Sequence, residues 1–397
     1  MTDGSAGLAE RGTEHRRVVG RHGGERPGPV MLVVGGLHGN EPAGIEAATD
    51  VLASLRERAP AFRGSLTVLA GNLAALAADR RFLDRDLNRM WLPERVAALE
   101  RVADPESLVT EDRELRLLWD EIRANLADAR HGAYLIDLHT SSAPGCPFMT
   151  VGDTLRNRRF ASNLPLPLIL GLEEQIDGPL LEFLNNLGLV TLCVEGGQHR
   201  DPLSVEYFRS SLWLAMVGAG MLDPDDAPDL ESHRRRLTHA TRDVPPVIEV
   251  RHRHPIHAGA GFRMEPGYAN FHPVKQGEVL AHDEAGAVAA VEDGMVLLPL
   301  YQGLGDDGFF LARAVRPFWL AVSALARRFE WHRLFRRLPG VEPHPTRPDA
   351  LVIDTRVARL FSLEVSHLLG FRRLRRVGHT LEVARRRFDR TPPDRYV

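Results

Sequence analysis

The chain has 397 residues, 44% hydrophobic and 26% charged, with a net charge of −3, the proportions of a globular protein with room for two or three domains. Its two cysteines, Cys146 and Cys193, exclude a disulfide-stapled fold and a Cys-rich zinc module. No run approaches twenty apolar residues, and the polar, Gly/Arg-rich first thirty do not read as a secretory leader, so a cytosolic protein without a membrane span is expected.

Residues 29–220 alternate short apolar runs with helical patterns, which predicts strands and crossover helices of a largely parallel sheet. Residues 29–36 (PVMLVVGG) read as a buried strand. A helix is expected from Pro42 to about Arg58, with Pro42 at a first helical position. Residues 65–70, 133–138, 148–151, 166–170 and 190–194 read as further strands, and 86–130 as mainly helical. These elements place a catalytic domain at 1–222. The acidic DPDDAPD after Leu222 opens a linker, 223–246. Residues 247–312 then read as a small all-β domain, with turns at Pro266-Gly267, Gln276-Gly277 and Asp293-Gly294. From 313 to 397 the periodicity predicts a helical extension. It holds 19 arginines against 8 acidic residues, a net of +11, which leaves −14 on residues 1–312. Lys275 is the single lysine of the chain.

The strongest local signal is GGLHGNEPAG, residues 35–44, directly after a strand and opening a helix. His-x-x-Glu can supply two metal ligands, but the pattern occurs at His22/Glu25, His38/Glu41 and His379/Glu382. Context selects the middle pair, because a tight turn at the carboxyl end of a buried strand is where open α/β sheets build sites. Taken alone, the pair reads equally well as a loop histidine and a helix-start glutamate favoured by the macrodipole. In LIDLHTS, residues 135–141, His139 ends another apolar strand. Asp137 lies on the same side of that strand, where it could orient a ligand. Glu195 ends a third strand, in VEGGQH, where a carboxylate is poorly placed unless something polar needs it. The run RRFLDRDLNR, residues 80–89, is either a solvated face or a carboxylate-binding fork through Asn88 and Arg89. Two histidines and one glutamate with an open fourth position make a catalytic rather than a structural zinc set.

HGNEPAG, RFLDRDLNR, DLHTS and VEGG, in that order, resemble the succinylglutamate desuccinylase/aspartoacylase family, related to zinc carboxypeptidases, over about residues 17–312. The resemblance implies a zinc-carboxypeptidase-like α/β fold with mostly parallel or mixed sheet, and a β-rich lid over the site. It implies one zinc ion per chain, held by His38, Glu41 and His139, with Glu195 as general base. Arg81 would polarise the scissile carbonyl, and Asn88 and Arg89 would hold a substrate carboxylate. The chain departs from aspartoacylases at LEFLNNLGL, where Asn185 and Asn186 stand in place of an arginine. Their late substrate-binding tyrosine has no clear match in YQGLGDDGFF, residues 301–310. The likeness is closer to bacterial members of unassigned substrate, which share His252-x-His254, GYxNF and YQGxGxDGFF.

The expected activity is hydrolysis of an N-acyl amide bond in a small carboxylated amine or amino acid. A zinc carboxypeptidase acting on peptides is the enzymatic alternative. A binding or anchoring protein working through the basic tail is the non-enzymatic one. With +11 beside −14 in one chain, the tail is expected to pack on the catalytic body and to bind neither nucleic acid nor membrane. A homo-oligomer is compatible with everything read here.

Overall fold

The computed structural model describes residues 15–257, 259–357 and 368–396. Eight strands come first: β1 (Val18–Gly23), β2 (Arg26–Gly35), β3 (Arg63–Ala70), β4 (Ala133–Ser141), β5 (Phe148–Thr150), β6 (Leu168–Leu170), β7 (Val190–Gln198) and β8 (Val247–Pro255). Six short ones follow: β9 (Arg263–Met264), β10 (Pro273–Val274), β11 (Val279–Asp283), β12 (Gly286–Ala289), β13 (Gly294–Leu297) and β14 (Asp307–Ala314). Eleven of these form one mixed sheet in the order β1-β3-β2-β4-β7-β5-β6-β8-β14-β13-β10. β2 is parallel to both β3 and β4, and β4 is parallel to β7. β1 was not anticipated. It is a half-exposed edge strand antiparallel to β3, and its VVGRHG carries too little apolar character to announce itself.

Side-chain alternation sorts the central strands onto two cores. Met31 and Val33 of β2, with Ile136 and Leu138 of β4, face the helices Ala43–Arg58 and Pro202–Gly218. Val30, Leu32 and Val34, with Ala133 and Leu135, face the helix Thr110–Leu126 on the other side. Both faces are covered, which is why these strands read as continuous apolar runs. The expected linker contains the helix Leu230–Ala240, which buries Leu237 and pairs His233 with Ser210 at 3.0 Å.

The β-rich segment is largely continuous with the catalytic sheet. β8 runs parallel to β6, and β14, β13 and β10 add antiparallel beyond it. Only β9, β11 and β12 form a sheet of their own. Lys275 sits on the turn between β10 and β11, its ammonium 3.0 Å from Asp293 and its side chain 82% exposed.

The C-terminal extension corrects one expectation. It begins with the helices Pro317–Arg328 and His332–Phe335, but then forms β15 (Val341–Pro343), β16 (Ala350–Asp354), β17 (Phe371–Val377) and β18 (Thr380–Arg385), an antiparallel sheet in the order β15-β16-β18-β17. Arginine clusters in FRRLRRV mimic a helical charge pattern. The local signal for a hairpin was the two-residue Gly378-His379 connection, where Val377 pairs with Thr380 and Gly378 has φ +56°. The extension packs on the body through arginines. Fully buried Arg327 donates to Asp153 at 2.8 Å and to Asp389 at 3.3 Å, while Arg386 holds Glu173 and Glu174 at 2.6 and 2.8 Å. The Tyr396 hydroxyl accepts from the Ala133 amide at the start of β4. Among the described residues, no helix is long and apolar enough to cross a membrane.

Removing one partner of a buried ion pair leaves the other charge stranded, at a cost of about 3–5 kcal/mol. Asp153 keeps Arg158 as a partner at 2.8 Å, so Arg327→Ala mainly strands Asp389 and is expected to lower the denaturation midpoint. Metal content of the folded protein should not change, because Asp153 and Asp389, the carboxylates that Arg327 pairs with, lie outside the His38/Glu41/His139 set. A midpoint equal to wild type would mean that the extension contributes little to the body's stability.

Candidate functional site

Parallel pairing brings the expected residues together. Gly35, the last residue of β2, pairs with Leu138 of β4, and His139 pairs directly with Glu195 of β7. His38 and Glu41 lie on the turn that follows β2, before the helix Ala43–Arg58. Two glycines let this turn fold tightly. A Cβ on Gly39 would sit 2.0 Å from the Ala75 carbonyl carbon, and one on Gly44 would sit 2.7 Å from Leu138 Cβ. Any side chain at either position would push the turn off the sheet edge.

His38, Glu41 and His139 are all buried, and one ligand atom from each lies within 4.8 Å of the others. His38 Nδ1 is 2.9 Å from Glu41 Oε1, and His139 Nδ1 is 3.2 Å from Glu41 Oε2. The far ring nitrogens are also engaged, His38 Nε2 with Asp86 at 3.2 Å and His139 Nε2 with Asp137 at 3.0 Å. The Thr140 amide donates to Glu41 Oε2 at 2.8 Å and fixes that carboxylate. Arg81 lies 2.9 Å from Asp86 and 3.8 Å from Glu41.

This arrangement fits a metal ion. The two Nδ1 atoms and the Glu41 carboxylate converge, while each imidazole is backed by its own carboxylate, which fixes the tautomer and raises ligand basicity. Four carboxylates, Glu41, Asp86, Asp137 and Glu195, are buried at this centre, and Arg81 pairs with only two of them, a concentration of acidic groups that calls for a cation. Glu195 Oε2 and Asp137 Oδ1 are buried with no hydrogen-bond partner among the described residues. For Glu195, an unpaired oxygen beside the ligand set is what a proton acceptor for bound water would present.

The electrostatics follow from the geometry. Burial opposes ionisation of Glu41, but the two histidines outweigh it and hold its pKa well below the usual range. Burial likewise opposes His139 ionisation, and Asp137 and Glu41 reverse this and raise its pKa. Asp86 is held low against burial by Arg81 and His38. Burial pushes Glu195 up to about 8, with Glu41 and Asp137 adding to the shift and His139 and Arg81 opposing it.

The remaining expected residues line the same open cleft, whose cavity volume is about 140 Å³. Asn88 Oδ1 accepts from the Leu180 amide at 2.9 Å, so half of its side chain serves to anchor the helix Leu180–Asn186. Arg89 also lines the cleft, but its Nη2 already meets Asp307 at 2.8 Å. His252 and His254 lie elsewhere, on β8, with His254 stacked on Phe309 at 5.1 Å. His199, by contrast, pairs with Thr140 at 2.8 Å and with Gln302 at 3.3 Å. The sequence reading gave no role to Asp86, Asp307, Arg253 or Gln302. Asp86 stood inside RFLDRDLNR, and Asp307 and Gln302 inside YQGLGDDGFF. Only the fold reveals that these segments meet the strand ends.

Residues 27–209 match the family pattern described as "Succinylglutamate desuccinylase/Aspartoacylase catalytic domain". The chain carries a catalytic domain of the succinylglutamate desuccinylase/aspartoacylase family. It is 41% identical over 61 residues to the succinylglutamate desuccinylase of Photorhabdus laumondii, covering 15% of this chain and 19% of that protein. It is 33% identical over 122 residues to an N-acyl-aromatic-L-amino acid amidohydrolase of Rattus norvegicus, covering 30% of this chain and 36% of that one. The matches thus span about a fifth to a third of those relatives. A crystal structure of a succinylglutamate desuccinylase/aspartoacylase from Rhodobacter sphaeroides superposes with a TM-score of 0.54 at 21% identity, covering 75% of this chain and 88% of that one. It shares the fold.

Two predictions follow from the site's geometry. Asp137→Asn should keep the fold and weaken metal affinity by about 10–100-fold, read by metal analysis after dialysis against a graded chelator. The second concerns pH in metal-free protein. Folded Glu195 holds its proton up to about pH 8, and an ordinary glutamate only to about 4.5. Folding therefore takes up a proton between those values, and stability falls as pH rises through that window. Glu195→Gln lacks this term, so after chelation its melting temperature should gain on wild type steadily from pH 5 to pH 8. Parallel pH profiles for the two proteins would show that Glu195 is not in the environment described.

Proposed function

We propose that this protein is a zinc-dependent deacylase that hydrolyses the N-acyl amide bond of a small carboxylated amine or amino acid. The observation that carries the reading is Glu195 Oε2, buried without a partner among the described residues beside the His38/Glu41/His139 set. Three ligands leave a position open, as in catalytic rather than structural zinc sites. When bound, the zinc ion acts as a Lewis acid toward a carbonyl oxygen and water and favours the ionised form of Glu195.

The chain's own residues do the rest. Glu195 accepts the proton of the attacking water and returns it to the amine nitrogen as the amide C–N bond breaks. The products are a carboxylate and a free amine. Arg81, held in place by Asp86, supplies fixed positive charge for the oxygen that becomes negative, an effect typically worth about 3 kcal/mol per donor. Asp86 and Asp137 keep the imidazoles turned with Nδ1 inward. Arg89 holds the substrate carboxylate, with Asn88 beside it. Family membership and the names of the relatives support a deacylase in preference to a peptidase.

Glu195→Gln preserves shape but cannot take a proton. Turnover of N-acyl amino acids should fall by at least about 100-fold while zinc content stays at wild-type level. Arg89→Ala should act mainly on KM, since a carboxylate grip is made in both ground and transition states. An active Glu195→Gln protein would require another general base.

A further inference from the structure

The cleft's guanidinium groups are not free to receive a ligand without competition. Arg81 is held by Asp86, and Arg89 by Asp307, whose side chains are 20% and 10% exposed for the second pair. The other oxygen of Asp307 accepts from Arg253 Nε, and Arg253 is itself tied to the Gln175 carbonyl at 2.9 Å. Asp306 adds a second carboxylate to the cleft wall beside Asp307. Glu173, also on that wall, is neutralised by Arg386. Arg89 Nε is nonetheless buried with no partner among the described residues. The Asn88 carbonyl and Asp307 take up two of the five N–H groups of Arg89, which leaves donors for a ligand, while Arg89 and Arg253 share the one Asp307 carboxylate.

The cleft is also lined by neutral polar groups such as Thr150 and Gln302, and by apolar side chains, Leu172, Ile176, Leu298, Leu300 and Phe310. The apolar ones offer contact to an uncharged group and no donor to a second carboxylate.

We propose that Asp307 sets substrate specificity, restricting the cleft to N-acyl compounds that carry one carboxylate and an uncharged side chain. This rests on the deacylase reading. A single carboxylate shares Arg89 with Asp307 and is balanced by Arg253 behind it. A second carboxylate meets Asp306 and Asp307 with no cation left to answer it, and exclusion by an unanswered like charge is an effective way to discriminate between near-isosteres. Arg89 and Arg253 against the part-buried Asp307 leave one positive charge for a ligand carboxylate, and the exposed, solvent-screened Asp306 adds only to the repulsion of a second.

The test compares a near-isosteric pair that differs in charge and adds an apolar control. Zinc-loaded wild type should hydrolyse N-acetylglutamine and N-acetylmethionine with kcat/KM at least about 10-fold above that for N-acetylglutamate. Asp307→Asn should bring the glutamine-to-glutamate ratio close to one, chiefly by lowering KM for the dicarboxylate. Arg253→Gln should widen the ratio, because it removes the balancing cation and keeps Asp307. This variant decides the matter if Asp307→Asn fails to fold. The same three compounds are also titrated calorimetrically into Glu195→Gln protein, with and without Asp307→Asn. The expected binding order without any turnover in wild type would overturn the deacylase reading and keep the specificity. Turnover or binding indifferent to charge, or a ratio unmoved by either variant, would overturn the role of Asp307.

Discussion

The parallel pairing of β4 between β2 and β7 is the constraint from which the site follows. The strands end at the same edge, so three distant stretches of sequence deliver their polar residues to one place. A shift of one residue between β4 and β7 would turn His139 or Glu195 to the opposite face, because side chains alternate along a strand. The two cores oppose such a slip. Leu135 and Leu138 are buried on opposite faces of β4, and a change of register would move both. Hydrophobic packing thereby positions groups that are costly to bury.

That cost is concentrated in the carboxylates. Glu41, Asp86 and Asp137 each find a histidine, and Glu195 finds none. The result is a graded set, with Glu41 and Asp86 held ionised and Glu195 held protonated in the absence of a cation. Residues that look alike in sequence acquire different chemistry from their neighbours alone.

The strand ends and their polar residues were legible in the sequence because apolar runs are long in a sheet covered on both faces. His38, Glu41, His139, Glu195 and the supporting Asp137 could each be placed on a strand or turn, and the motif order supplied their association. Long-range electrostatic partners were not legible. Arg89 meets Asp307 across 218 positions, a pairing that depends on where β14 docks. The extension misled for a different reason. In FRRLRRV the arginines stand in adjacent pairs, so neither the two-residue nor the 3.6-residue period stands out in the sequence, and pairing with β18 decides the conformation. Its basic charge did indicate the right consequence, since Arg327 and Arg386 reach carboxylates of the body.

The protein's cations are almost entirely guanidinium. Lys275 is the one lysine in the sequence, and it stands on an exposed turn. Guanidinium groups keep their charge far above neutral pH, so the ion pairs that join extension to body resist alkali better on the cation side than ammonium pairs would. The same composition gives the chain a single side-chain amine. A dye or tether aimed at lysine side chains is therefore directed to one known turn between β10 and β11, which yields a uniformly labelled protein without any engineered cysteine.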